Sequence, residues 1–426
     1  MNRVVSAVLI WFSATLFLVS CGGTSSSGSG SGLHQRVLAS QTVTAGGVAA
    51  GLMIINAGND TIPPAAEISA GFTPSFIVPS PNLATFLVYD EALSSHSVEI
   101  INTQTEANSG NITLPGPSSS IVMPLPGGPA YAAVPSATVT GGPLGAIEVL
   151  NTSSASVTAS IGVPDVQTVV SNANGATLLA FSADSDAVTV VIPANINTGN
   201  PVTQLVGGFN RPVTALISGT TAYVLNCGGE CRGDTTPASV QVFDLNALSL
   251  VGPAVNVDGA TVGMLNGTTL YVAGNSQLNS ACTGETTHAT TCGRLDVVDT
   301  TTSPMTVTST AVITDGYHTL MSLSLNGQLF IGAKNCTNVG DVNNPSGEVR
   351  GCLSIYNTTA TSGSNAVIIP PDNGDVTGLQ GFSTRNTEYV VQGGNLRIYD
   401  TTKDALQSLQ LNLVGVFYDV KAADFF

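Results

Sequence analysis

Seven residues of this 426-residue chain recur at one kind of place, just where a run of strand-forming residues begins. They are Asp165 in PDVQ, Arg211 in NRPV, Asp258 in VDGATV, Asp315 and His318 in TDGYHT, Asp375 in NGDV and Asp419 in YDVK. Carboxylates gathered round a common axis can hold a cation, and a histidine beside a carboxylate can serve as a general base. A second group lies within one stretch: Asp341, Asn343, Asn344, Ser346 and Glu348 are oxygen donors of the kind calcium takes. An EF-hand loop wants glycine at its sixth position, however, and counting from Asp341 that position is Ser346. No nucleophile motif accompanies either group. G-x-S-x-G is absent, and the glycine-rich CGGECRG lacks the strand–turn–helix order of a phosphate loop.

The beginning of the chain reads as an address. Asn2 and Arg3 give a short positive start, and Val4 to Phe17 form an apolar run shorter than a spanning helix needs. Leu18-Val19-Ser20-Cys21 then resembles the lipobox of bacterial lipoproteins. That resemblance implies a signal over residues 1–20, diacylglycerol on the Cys21 thiol and cleavage just before it. Gly22 stands where that family often carries a retention aspartate, so the resemblance points to the outer membrane. Residues 21–32 continue as a Gly/Ser tether, and eleven such residues reach ~17–20 Å.

Beyond Cys21 six cysteines remain, an even number in an exported chain, and disulfides follow from an oxidising compartment. Six allow fifteen pairings; the sequence neighbours Cys227–Cys231, Cys282–Cys292 and Cys336–Cys352 are the simplest set. Each would close a loop worth roughly 2–3 kcal/mol. CGGEC reads less well as a zinc site, because no histidine or second cysteine pair lies nearby at the right spacing.

Composition excludes some partners. Lys and Arg total 11 against a net charge of −16, so no basic stripe exists to neutralise phosphates, and nucleic acid is not an expected ligand. Adsorption to anionic headgroups is disfavoured on the same ground. Membrane contact would therefore run through the lipid.

The elements that must position these residues are short β-strands in a repeat. Apolar alternation followed by Asn or Asp and small polar residues ends at Asn56, Asn102, Asn151, Asp244, Asp299, Asn357 and Asp400. A weaker copy, VTVVIPAN, has Pro193 at the turn position. The period is roughly forty to sixty residues, with two strands before each copy and one after, and this is the pattern of propeller blades. The expected fold is an all-β propeller of four-stranded antiparallel blades over residues 33–426, eight by this count and seven if the Pro193 unit is degenerate. VFYDVKAADFF at the C-terminal end is a spare inner strand, and the unit containing RVLASQ lacks one. Pairing them would close the ring and remove both sheet edges.

The stretch TFLVYDEALSSHSVEIINTQT is similar to repeats of the YVTN/lactonase-like propeller superfamily of bacterial and archaeal surfaces. Members with lactonase-like chemistry place metal ligands about the axis, and this chain shows no such set at recognisable spacing. WD-repeat propellers are excluded by tryptophan, whose one occurrence is Trp11, and a quinoprotein dehydrogenase, whose family fold uses tryptophan docking motifs between blades, is a distant third reading. The expectation is a lipid-anchored envelope protein that binds a protein or glycan partner through cysteine-stapled loops between second and third strands. The alternative is a metal-dependent lactonase-like hydrolase using the axial carboxylates. No cofactor is expected, apart from calcium at Asp341, Asn343 and Glu348.

Overall fold

The computed structural model describes residues 31–42, 50–64, 67–93, 95–193, 202–277, 292–337, 339–340, 349–360, 366–372, 374–407, 411 and 415–425. Cys21, Cys282, Asp341, Asn343 and Glu348 lie outside them, and so do the proposed lipid attachment, calcium set and one half of a disulfide. The described strands form eight four-stranded sheets arranged as a β-propeller. In ring order the inner strands are Val416–Ala422, Pro74–Pro79, Ser120–Val122, Val166–Ser171, Pro212–Ser218, Val262–Asn266, Tyr317–Leu323 and Val376–Gly381, and they define blades 1 to 8.

Blade 1 is shared between the ends of the domain. Val416–Ala422 runs antiparallel to Arg36–Thr42, with Val37 opposite Ala422 and Thr42 opposite Val416. The unit containing Pro193 is a full blade, since Val166–Ser171, Leu178–Ser182, Ala187–Ile192 and Val202–Gly207 pair in order. The count is therefore eight.

Middle strands read as continuous apolar runs because neighbouring blades cover both of their faces. Thr387–Gln392 of blade 8 is buried throughout, whereas the outer strand Thr306–Val312 of blade 6 is almost wholly exposed. Each junction between adjacent blades holds its own apolar cluster. Leu87, Val98 and Ile112 of blade 2, for example, meet Ile121, Ala132 and Val134 of blade 3. Burying each such Leu or Ile contributes roughly 1.5–3 kcal/mol.

The repeated Asn or Asp has a local cause. Its side-chain oxygen accepts the backbone N–H two residues on, at 2.9 Å for Asn102, 2.9 Å for Asn151, 2.7 Å for Asp244, 2.8 Å for Asp299 and 2.9 Å for Asp400. This Asx turn reverses the chain between third and fourth strands. Two residues further the backbone enters the left-handed region, at Glu106 (φ 50°), Ala155 (φ 48°), Leu248 (φ 49°) and Asp404 (φ 49°). Asn151 also accepts from Ser154 N at 3.0 Å. Asn151→Ala is expected to destabilise by about 1 kcal/mol, seen as a lower urea midpoint, while Asn151→Asp should hold the wild-type value.

Strand alternation then fixes two faces. Starts of inner strands and the second-to-third loops share one face; the Asx turns occupy the other. The first described residue, Ser31, lies on the Asx face, where its backbone N–H and hydroxyl both donate to the Glu106 carboxylate.

Candidate functional site

A cavity of about 670 Å³ opens where the inner strands of blades 2 to 7 begin. Of the seven sequence-predicted residues only Arg211 and His318 line it. The backbone at Arg211 is left-handed (φ 54°), and its N–H donates to Asp186 Oδ1 at 3.0 Å while its guanidinium donates to Asp184 Oδ1 at 2.6 Å. His318 is wholly buried. Its Nε2 lies 2.8 Å from the Thr314 carbonyl, which assigns the proton to Nε2 and leaves Nδ1 a bare acceptor with no partner among the described residues. Burial pushes the imidazole down to about 4, against the smaller opposing pull of that hydrogen bond and of Asp315. A group so acidic is a poor general base at neutral pH.

The remaining carboxylates are held one by one. Asp315 is buried and accepts Thr337 N at 2.8 Å and Thr337 Oγ1 at 2.7 Å. Asp375 accepts Asn335 N at 2.8 Å, tying blade 8 to blade 7. Asp419 accepts Ile77 N of blade 2 at 2.9 Å, its neighbour Val420 N at 2.8 Å and Lys421 Nζ at 2.7 Å. Asp258 pairs with Arg294 at 3.5 Å, and Asp165 accepts Gln167 Nε2 at 3.0 Å in an exposed turn. Asp258, Asp315, Asp375 and Asp419 thus act as struts between segments. Among the described residues no three His, Cys, Asp or Glu side chains stand together in a way that could hold a metal ion.

Two of the sequence-neighbour disulfides form. Cys227–Cys231 spans 5.8 Å between Cα atoms and Cys336–Cys352 spans 5.3 Å. Cys292 is disulfide-bonded, and Cys282 falls outside the described residues. The first staple brackets one helical turn, Gly229–Arg232, and Cys227 and Cys231 both border the cavity. It is fastened on two sides. Glu230 accepts Asn275 N of blade 6 at 3.0 Å, and Arg232 donates to Asp186 of blade 4 and, at 3.1 Å, to Asn210. The Arg232 guanidinium holds the Asp186 carboxyl below the usual carboxylate range. The second staple encloses a two-stranded hairpin, Val339–Gly340 with Val349–Arg350.

Sequence reasoning missed Asp184 and Asp186. The signal was present in FSADSD, where two acids lie two apart at the end of a second strand. It also missed Glu388, a wholly buried carboxyl in blade 8.

No family model matches the chain, and no curated protein matches its sequence. Many solved structures match its fold. Dihydro-heme d1 dehydrogenase NirN is 11% identical, with 91% of this chain and 75% of that one covered at a TM-score of 0.59. Hydrazine synthase of Kuenenia stuttgartiensis is 13% identical, with 77% and 96% covered and a TM-score of 0.55. The periplasmic gluconolactonase PpgL of Pseudomonas aeruginosa is 15% identical, with 91% and 98% covered, at a TM-score of 0.47 too low to argue from. Identities of this order establish a shared β-propeller architecture and nothing of shared chemistry.

Proposed function

We propose that this chain is an exported, lipid-anchored binding protein of the cell envelope, a single propeller over residues 33–426 that engages its partner with the stapled face. The observation that carries this reading is the blade 5 staple, fastened to blades 4 and 6 at the edge of the axial cavity. Loops held rigidly by a scaffold are the usual place for recognition. The lipobox-like Leu18–Cys21 supports the anchor and the outer-membrane location, and the disulfides agree with an oxidising compartment. Ser31 on the Asx face supports a tether that leaves the body opposite the staples. The hydrolase alternative draws less support, because the axial carboxylates Asp315, Asp375 and Asp419 are each engaged by backbone amides.

The test is photo-crosslinking in cells from two exposed positions, Asp234 beside the first staple and Thr105 in an Asx turn. A discrete envelope adduct from Asp234 and none from Thr105 is the expected result. Adducts from Thr105 alone, or from neither, would overturn the assignment of the face.

A further inference from the structure

We propose that the axial cavity is a site for a neutral, hydroxyl-rich ligand, the end of a saccharide chain. The proposal rests on the binding role given to this face and narrows it to a ligand class. Its volume, about 670 Å³, is that of a small-molecule site and holds several sugar-sized groups.

The wall chemistry is neutral. Apart from Asp184 and Arg211 at the mouth, the lining consists of hydroxyls, one amide, aromatic and aliphatic groups, the Cys227–Cys231 disulfide and the neutral His318. Those two charges face each other at 2.6 Å and cancel. A polyanion would meet a chain of net charge −16, and a cation would need carboxylates that are already bound to backbone amides elsewhere.

Two buried polar atoms in the wall have no partner among the described residues. Thr319 Oγ1 can donate and accept, and His318 Nδ1 can only accept. Buried polar atoms are costly to leave unpaired, and together they suit a ligand that offers hydroxyl groups. Tyr317, 47% exposed, stands next in sequence at the lining and offers an aromatic face, and Phe76, Ile121 and Val213 supply apolar surface for the C–H faces of a sugar ring.

The experiment is calorimetric titration of the full-length protein in a detergent that carries no sugar headgroup. The probes are maltotetraose, cellotetraose and chitotetraose, with tetragalacturonate and spermine as charged comparisons. At least one neutral probe should bind, more tightly than either charged one. Thr319→Val should weaken that binding about tenfold, which corresponds to ~1.4 kcal/mol, with an unchanged unfolding midpoint. Tyr317→Ala, at a half-exposed position, provides a second variant expected to weaken it. Absence of binding by all three neutral probes, preference for a charged probe, or indifference to both substitutions would overturn the proposal. If crosslinks still form from Asp234 in that case, the binding face stands and only the ligand class falls.

Discussion

Near pH 9 the protein should unfold at a distinctly lower urea concentration than near pH 5, and Glu388→Gln should abolish or reverse that difference. Glu388 is fully buried on the second strand of blade 8, in register with Gly381 of the inner strand. It fits because residue 381 has no side chain: a Cβ there would stand 2.5 Å from Glu388 Oε2. Neither carboxyl oxygen has a hydrogen-bonding partner among the described residues. Burial pushes the group up from 4.5 to about 8; nearby Ser322 and Lys421 ease this without making a sound hydrogen bond to it. The sign follows from linkage. Between about 4.5 and about 8 the folded chain keeps a proton that the unfolded chain has released, so stability is fullest below that window and falls as pH rises through it. At 1.36 kcal/mol per pKa unit the loss is on the order of 3–5 kcal/mol. The amide that replaces the carboxyl in the variant cannot ionise. Urea midpoints of both proteins at the two pH values decide it: converging curves at acid pH and diverging ones at alkaline pH are expected, and parallel curves would refute the assignment.

His318 works in the opposite direction. Its folded value near 4 lies below its ordinary 6.5, so its contribution is present above 6.5 and is lost as pH falls toward 4. Where the two windows overlap, their slopes oppose each other. A plateau between about pH 4.5 and 6.5, with losses on either side, is the combined expectation.

Replacing Arg36 with Met should destabilise the ring by about 3 kcal/mol, because it strands two acids that this guanidinium balances. Arg36 is 9% exposed and reaches Asp424 at 2.6 Å and Glu106 at 2.9 Å, and it donates to the Thr103 carbonyl. Blade 1, blade 2 and the segment just past the closing strand thus meet on one side chain. A double-mutant cycle with Asp424→Asn isolates the contact. Coupling well above the ~0.3–0.5 kcal/mol scatter of independent sites is expected; additive losses would show that closure rests on the strand pairing alone.

Features that depend on short-range geometry were legible from the sequence. An Asx turn needs a short side chain with a carbonyl or carboxylate at one position, so the repeat printed itself at Asn102, Asn151 and Asp299. The Pro193 unit was harder to read, because proline cannot make that turn, yet its strands pair like the rest. Closure could be read from a surplus strand at one end and a missing one at the other. The fate of the axial acids could not be read. Whether Asp375 faces the channel or caps Asn335 N depends on the register between blades, which no local pattern encodes. Register likewise hid the polar positions inside third strands. Glu99 meets Asn108, Glu148 meets Ser160 and Asp296 meets Thr310, each on the adjoining outer strand.

The bond from Asp419 N to Ser40 Oγ, 2.9 Å long, joins residues 379 apart in the chain. A ribosome makes Ser40 hundreds of residues before Asp419, so the edge of Arg36–Thr42 waits unpaired until Val416–Ala422 has been made. Contacts of such long separation are slow to form. The circle cannot close before Val416–Ala422 exists, and any product of translation that stops short of it displays the same raw margin to whatever surveys misfolded chains.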